Sequence, residues 1–138
     1  MKGHAAAYRL TGGFVGHHLP GVPPSLLLDH VGAKSGAKRT SVLSYLRDGD
    51  DYVIVASKGG HPQHPAWFHN LRADPDVTVQ VGSSRTPVHA RVATAQERTR
   101  LWPRVVALWA GYDDYQRRTE REIPLVILEP RTETDSPS

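Results

Sequence analysis

Cysteine is absent from this sequence of 138 residues. Its absence excludes disulfides, zinc sites with thiolate ligands and cysteine nucleophiles, and it is typical of a reducing compartment. Long apolar stretches are also missing. Because no run of about 18 apolar residues occurs, we expect no helix that spans a bilayer. We therefore predict a cytoplasmic protein.

The N-terminal segment lacks the apolar core of a signal peptide, since Ala5 to Ala7 is its only apolar run. We expect an extension over 1–24 that is a loop or partly helical, one domain over 25–130, and a disordered tail over 131–138. Scattered apolar side chains in the extension are compatible with weak peripheral contact to the inner face of the membrane. These are Tyr8, Leu10, Phe14, Val15 and Leu19.

The charge of the chain is modest, with a formal net value of +3. Its basic residues cluster in Lys34, Lys38 and Arg39, whereas acidic residues gather over 48–51 and 113–122. A nucleic-acid-binding module would use a basic loop with aromatic side chains, but the small net charge and the acidic segments argue against it. We expect a small-molecule partner and no nucleic acid.

Hydrophobic patterning predicts a mainly β protein with some helix, in the α+β class. Its strands are joined mainly by hairpins, whereas a parallel sheet needs a crossover helix after nearly every strand. The first three strands are expected to form a meander, with a hairpin turn at Asp48-Gly49-Asp50. Six strands are predicted, over 25–31, 40–47, 52–57, 77–81, 87–92 and 123–128. This order suits a small mixed barrel.

Two helical segments interrupt the strands. The first is a short helix over 66–72, which begins just after a proline. The second is longer, because Thr94 and Glu97 form a capping box ahead of apolar residues at helical spacing. We expect Pro103 to kink or split this helix and Gly111 to end it.

The segment from Gly32 to Arg39 (GAKSGAKR) combines backbone amides freed by glycine, a hydroxyl and three cations, which suit an anionic ligand. It is not a Walker A loop, because Ala37 stands where that motif requires lysine and the loop leads into a strand. Composition alone favours the alternative, a solvated basic hairpin.

A second turn, Ser57-Lys58-Gly59-Gly60, brings a cation and two flexible amides to the end of the third predicted strand, where sites commonly form. Three histidines follow, at positions 61, 64 and 69. We do not expect them to bind zinc, because the intervening prolines keep them off one helical face and no cysteine or close carboxylate completes a ligand set.

Aromatic residues mark two further places. A polar second helix or turn is expected over 112–121. Tyr112 and Tyr115 in it, with Trp109 three residues before, would share one helical face. They could form an aromatic wall that carries hydroxyls, or pack on the barrel with the hydroxyls in water. Trp67 on the short helix is by itself more typical of a core, and Asn70 of a cap or turn. No G-x-S-x-G motif indicates a serine hydrolase.

The succession of these segments strongly resembles the deazaflavin-dependent nitroreductase family, over about Leu26 to Pro130. The loop Gly-x-Lys-Ser-Gly-x-x-Arg, the turn Ser-Lys-Gly-Gly, the helix Pro-x-Trp-x-x-Asn-Leu and the strand Ile-Pro-Leu-Val all stand in the family's order and spacing. The resemblance implies a split β-barrel that binds reduced coenzyme F420. It further implies transfer of a hydride to a quinone-like or other electron-poor small molecule.

The resemblance also implies roles for single residues, with the basic loop on the phosphate and oligoglutamate tail of the cofactor. The implied cofactor-binding residues are Lys34, Ser35, Gly36, Lys38, Arg39, Ser57, Lys58, Gly59, Trp67 and Asn70. The implied substrate pocket is formed by Trp109, Tyr112 and Tyr115. Because reduction of a quinone or nitro oxygen needs a proton, the hydroxyls of Ser57, Tyr112 and Tyr115 are the candidate catalytic groups.

Two residues depart from relatives that activate nitro prodrugs, which often carry Arg at the position of Ala33 and Tyr at that of Trp109. We therefore expect quinone reduction to persist and nitroimidazole reduction to be poor. The alternatives are an FMN-dependent reductase on the same barrel and a carrier or sensor that binds F420 without turnover. Apolar faces left by six short strands favour a homodimer.

Overall fold

A single antiparallel sheet of seven strands organises the computed structural model, which describes residues 24–60 and 62–131. The strands are β1 (Ser25–Val31), β2 (Lys38–Ser44), β3 (Leu46–Asp48), β4 (Asp51–Val55), β5 (Asp76–Val81), β6 (Ser84–Val92) and β7 (Leu125–Pro130). Their order across the sheet is β2-β1-β5-β6-β7-β4-β3. The predicted extension with its membrane contact, and the tail beyond position 131, lie outside the described residues.

The apolar runs of the central strands are continuous because both faces of these strands are covered. In β7, Val126 and Leu128 point into the main core inside the barrel, whereas Leu125 and Ile127 pack in a second cluster on the outside. This alternation follows from the two-residue period of a strand. It confirms the predicted split barrel as a mainly β fold with a helical layer on part of its surface.

The predicted three-strand meander is wrong. β2 pairs with β1 and β3 pairs with β4, so the two hairpins lie at opposite ends of the sheet. The segment expected as one strand over 40–47 is therefore two strands that meet at Tyr45, whose N–H donates to Pro24 O (3.0 Å). β2 and β3 follow each other in the chain but lie at opposite edges of the sheet. Hairpin signals alone therefore could not reveal the partner of each strand.

Helix α1 (Ala66–Ala73) confirms the predicted short helix. It begins after Pro65 and ends at Asp74, whose N–H donates to Asn70 O (2.9 Å). Its buried side chains Trp67, Phe68 and Leu71 belong to the main core of the barrel. Because an amphipathic helix gains most of its stability from such packing, α1 is fixed by the barrel that it covers.

The longer helical segment consists of two helices, α2 (Ala95–Leu108) and α3 (Gly111–Arg117). Pro103 lies inside α2 without splitting it. The prediction that Gly111 ends α2 is wrong, because the helix is capped at Trp109 and Gly111 begins α3. A Cβ atom on Gly111 would lie 2.6 Å from Nε1 of the Trp109 indole, so the ring packs closely against this glycine.

The start of α2 is fixed by the predicted capping box. Glu97 N–H donates to the Thr94 hydroxyl (3.2 Å), and the Glu97 carboxylate accepts from Thr94 N–H (2.9 Å). The same carboxylate binds both terminal nitrogens of Arg91 on β6, at 2.7 and 2.8 Å. The hydrogen bonds from Arg91 and then from the Thr94 N–H lower the pKa of Glu97 to about 2.

Glu97→Gln should lower the free energy of unfolding at neutral pH by about 1–2 kcal/mol, because it removes a charged cap and a bidentate pair. The folded-state pKa lies below the ordinary value of 4.5. The stabilisation is therefore present above that value and is lost as the pH falls towards 2. Urea unfolding at about pH 7 and pH 2.5 measures this, with the exposed Glu120→Gln as the control. If the variant's loss of unfolding free energy relative to the wild type is as large at about pH 2.5 as at about pH 7, the prediction is contradicted.

Candidate functional site

Helix α1 borders two open clefts. The first, here called the cationic cleft, has a volume of about 570 Å³ and lies between α1 and the basic loop over 32–39. The second, here called the aromatic cleft, has a volume of about 460 Å³ and lies between α1, the turn after β4 and helix α3. Asn70 lines the first cleft and Trp67 the second. One short helix therefore presents side chains to both.

Three of the five predicted loop residues line the cationic cleft and two do not. Lys34, Ser35 and Arg39 line it, whereas Gly36 does not and Lys38 lines a neighbouring cleft that it shares with Arg39. Within residues 24–60 and 62–131, no carboxylate lies within ion-pair distance of the three loop cations. Because these exposed charges have no internal counter-ion there, they are available to an anionic ligand.

The loop itself is held by its own backbone. Gly32 N–H donates to Ala37 O (2.9 Å) and Gly36 N–H donates to Gly32 O (2.9 Å). Gly36 adopts a φ of 70°, which side-chain-bearing residues rarely adopt. Ser35 Oγ accepts from Ala37 N–H (3.1 Å), so the hydroxyl stabilises the turn in addition to lining the cleft.

Asn70 anchors this loop to the barrel. Its Oδ1 accepts from Ala33 N–H (2.9 Å), and its Nδ2 lies 3.0 Å from Nδ1 of His30 on β1. Both polar atoms of this buried amide are thus bound to protein groups. Sequence reasoning missed His30, although a histidine among the leucines of a buried strand was a visible signal that it needed polar partners.

The aromatic cleft brings together every residue predicted for the substrate side. Trp109, Tyr112 and Tyr115 line it with Trp67. The expected single helical face is wrong, because Trp109 caps α2 whereas the two tyrosines belong to α3. The tyrosine rings meet edge to face with centroids 6.2 Å apart. Trp109 remains 43% exposed, so it stands at the mouth of the cleft.

Tyr112 is the buried hydroxyl of this cleft. Its side chain is 8% exposed, and burial, followed by the influence of Tyr115, raises its pKa above the ordinary value. The phenol therefore keeps its proton at neutral pH. In the described part of the chain neither tyrosine hydroxyl has a hydrogen-bond partner. Each can therefore donate to a group that enters the cleft.

The turn after β4 supplies Ser57 and Lys58 to the aromatic cleft. Lys58 adopts a φ of 46°, a conformation that costs a residue with a side chain of order 1 kcal/mol or more. Arg121 holds this turn: its Nη2 donates to Ser57 O (2.7 Å) and Ala56 O (3.1 Å), and its Nη1 donates to His64 Nδ1 (3.0 Å). Sequence reasoning missed Arg121, since nothing local marks a residue that binds 64 positions away.

Gly60 joins the turn to helix α3. It adopts a φ of 79°, and a Cβ atom there would lie 2.6 Å from the backbone oxygen of Tyr115. The backbone of the turn therefore touches the helix that carries both tyrosines. Gly59, also predicted for the site, lies in the same turn between Lys58 and Gly60.

A split antiparallel barrel with a cationic cleft and an aromatic cleft beside one helix has the form of a small reductase that binds an anionic cofactor with a flat ring. The family model described as F420H(2)-dependent quinone reductase matches residues 1–130. An F420H(2)-dependent quinone reductase of Mycobacterium tuberculosis (strain H37Rv) is 50% identical over 131 residues, which cover 93% of this chain and 88% of that protein. This chain belongs to the F420H(2)-dependent quinone reductase family.

Solved structures agree with this assignment. An F420-H2 dependent reductase, FDR-A, has a TM-score of 0.71 and 41% identity, covering 77% of this chain and 94% of its own. A second structure, described as a domain-swapped dimer, has a TM-score of 0.73 and 37% identity, covering 93% and 95% of the two chains. The split-barrel prediction is confirmed by these relatives.

The predicted activity is likewise confirmed. The protein is an oxidoreductase that uses reduced coenzyme F420 to reduce a quinone. This assignment does not support the two alternatives, which were FMN as the cofactor and a carrier that binds F420 without turnover. The nitroreductase family expected from the motifs is broader than the family found, so reduction of nitro compounds stays a prediction.

No helix in residues 24–60 and 62–131 is long and apolar enough to cross a membrane, and the cytoplasmic location stays a prediction.

Gly60→Ala should lower the free energy of unfolding by at least about 2 kcal/mol, because the methyl group meets the Tyr115 backbone at a positive φ. Gly49→Ala is the matched control, since Gly49 also has a positive φ but has open space around it. It should cost only roughly 1 kcal/mol. Urea unfolding compares the two variants. Equal losses would show that contact between the turn and α3 is unimportant.

Proposed function

We propose that this reductase binds the anionic tail of reduced F420 through the basic loop and holds the ring, together with the quinone, in the aromatic cleft. The observation that supports the proposal most strongly is that α1 borders both clefts, with exposed cations on one side and aromatic side chains on the other. A cofactor that joins a flat ring to an anionic tail requires these two environments side by side.

The donor set on the tail side fits phosphate and carboxylate groups. Lys34 and Arg39 supply charge, and charge-assisted hydrogen bonds to such groups are stronger than neutral ones. Arg39 can bind two oxygens at once through its planar guanidinium, whereas Lys34 acts as a compact charge. Lys38, in the neighbouring cleft, would strengthen attraction at longer range. Asn70 would serve the tail indirectly by holding the loop.

The ring side fits a flat apolar group. Trp109 offers a broad exposed surface, the mostly buried Trp67 lines the same cleft, and the half-buried Ser57 offers a hydroxyl. Reduced deazaflavin supplies a hydride when it is bound. The aromatic side chains would orient the quinone for that transfer and keep water away from it, because a near-attack geometry lowers the barrier.

Complete reduction of a quinone also requires a proton at oxygen, since the hydride brings two electrons and leaves a negative charge. Tyr112 is our candidate donor, because its protonated phenol is buried in the cleft and has no hydrogen-bond partner within residues 24–60 and 62–131. Its hydroxyl would donate to the quinone oxygen as charge develops there. Tyr115 is half-buried and could return the proton from solvent. Ser57 is the second candidate donor, and Lys58 beside it would stabilise the negative charge.

Two finer predictions belong to this proposal. The exposed indole of Trp109 at the mouth of the aromatic cleft favours flat quinones, and we propose that bicyclic nitroimidazoles are poor substrates. We also propose that the protein forms a homodimer, which agrees with a related structure described as a domain-swapped dimer. Most small soluble oligomers are two-fold symmetric, so one surface patch would serve both protomers.

Replacing Lys34 or Arg39 with Ala should remove a charge-assisted contact of about 1.5–3 kcal/mol and weaken cofactor binding roughly tenfold or more. Added salt should partly mimic the substitutions. Fluorescence titration with F420 measures the affinity. Arg100→Ala, which removes an exposed charge from α2 that lines neither cleft, is the control. Unchanged affinity in both loop variants would identify the loop as a solvated hairpin.

Tyr112→Phe should lower kcat with menadione by roughly 10²-fold and leave cofactor affinity nearly unchanged, because it removes the proton donor and keeps the ring. Tyr115→Phe tests the second hydroxyl in the same assay. The matched control is Tyr52→Phe, which removes a core hydroxyl that accepts from Arg47. Steady-state oxidation of reduced F420 gives the rates. Normal kcat in both cleft variants would assign the proton to Ser57 or to water.

A further inference from the structure

A buried polar pair, His30 and Asn70, lies next to the basic loop, and Asn70 also lines the cationic cleft. His30 on β1 is 5% exposed and Asn70 on α1 is 6% exposed. His30 Nε2 lies 2.9 Å from Ser41 Oγ on β2, and its Nδ1 lies 3.0 Å from Asn70 Nδ2. The amide then reaches Ala33 N–H in the loop (2.9 Å). One chain of hydrogen bonds thus links two strands, a helix and the loop.

Only one assignment of the protons is consistent with this series of hydrogen bonds. Because the N–H of Ala33 can only donate, the Asn70 atom that faces it must be the carbonyl oxygen. The amide nitrogen of Asn70 therefore faces His30 and donates to Nδ1, which must carry no proton. The single ring proton of His30 then lies on Nε2 and is donated to Ser41. The loop anchor at Ala33 thus requires a neutral His30.

Protonation of His30 would disrupt the anchor. A charged imidazole carries a proton on each nitrogen, so Nδ1 would face the amide nitrogen of Asn70 with two donors opposed. Rotating the amide would bring its oxygen to His30 and its nitrogen to Ala33 N–H, again with two donors opposed. Because the pair is buried, water cannot easily satisfy the abandoned group. One of the two contacts must be lost.

The charges around His30 favour the neutral form. Burial, and then Arg39 on β2, lower the pKa of His30 below its ordinary value, while Asp29 on the same strand opposes them. Lys38 of β2, Asp76 of β5 and Arg85 of β6 line the cleft that His30 borders. From α1 the facing group is the neutral amide of Asn70. The anchor is therefore complete at neutral pH. It is lost as the pH falls through the folded-state pKa of His30, which lies below the ordinary value.

We propose that Asn70 is a positioning residue for cofactor binding, which fixes the basic loop at Ala33 only while His30 is uncharged. The inference rests on the proposed use of the loop for the cofactor's anionic tail. It assigns Asn70 a role through the backbone rather than through contact with the cofactor. It also gives His30, which lies away from the reacting groups, control over affinity. Loss of the anchor would free the segment that carries Lys34 and leave the aromatic cleft intact.

The test compares Asn70→Ala, His30→Asn and Lys34→Ala. In the cofactor-free protein, hydrogen exchange at the Ala33 amide reports the anchor, and exchange in β7 reports global unfolding. Titration with oxidised F420 from about pH 7.5 to about pH 4.5 reports affinity. Asparagine at position 30 retains a carbonyl that can accept from Asn70, and it does not titrate. The titration of the cofactor itself is common to all variants and cancels between them.

Asn70→Ala should speed exchange at Ala33 roughly tenfold or more, leave β7 protected and weaken F420 binding by a similar factor. Lys34→Ala should weaken binding without changing exchange. His30→Asn should bind as the wild type does at neutral pH and should lack the wild type's loss of affinity in acid. His69 also lines the cationic cleft, but it is present in the wild type and in all three variants, so its contribution is common to them.

Unchanged exchange at Ala33 in Asn70→Ala, with β7 protected, would overturn the inference whatever the affinity. The same acid dependence in His30→Asn as in the wild type would overturn the role of His30. If exchange rises but affinity is unchanged in both Asn70→Ala and Lys34→Ala, the proposed use of the loop is wrong and the inference falls with it. If binding weakens in Lys34→Ala alone, the loop binds the cofactor but Asn70 does not position it.

Discussion

The packing of helix α1 against the barrel is the contact on which both clefts depend. Phe68 and Leu71 are buried with Leu26 and Leu28 of β1, and this apolar contact fixes the helix without help from a side-chain cap. Burying side chains of this size contributes about 1.5–3 kcal/mol each relative to leaving them exposed. The helix can therefore act as a rigid wall that faces a different environment on each side.

Both loops of the site are held by their backbones, which leaves their charged side chains available. Asn70 binds the N–H of Ala33, and Arg121 binds the carbonyl oxygens at positions 56 and 57. Buried polar groups need partners, and here the need is met by the backbone of the neighbouring loop. The cations of the loops, Lys34 and Lys58, are exposed. Polar residues of the scaffold thus position the site, and the exposed cations are left for a ligand.

Helix α3 connects the aromatic cleft to the rest of the fold. Its tyrosines line the aromatic cleft, and its backbone touches Gly60 of the turn that carries Ser57. The short link from Trp109 to Gly111 turns the chain sharply, so the indole lies beside the tyrosines although it belongs to another helix. The three aromatic residues come together through this bend, in place of the single helical face that their spacing indicates.

Neighbouring residues are enough to specify several of the elements. The turn at Gly49, the short helix after Pro65 and the capping box at Thr94 follow from local chemistry, and the order of motifs indicated an F420-dependent reductase. The partners of these elements depend on the tertiary structure. Edge strands meet at Tyr45, and Arg121 reaches a turn 64 residues before it, because such contacts depend on barrel closure and long-range packing. For the same reason, the hydrogen bonds of Asn70 with Ala33 and His30 could not be predicted from its position in the motif.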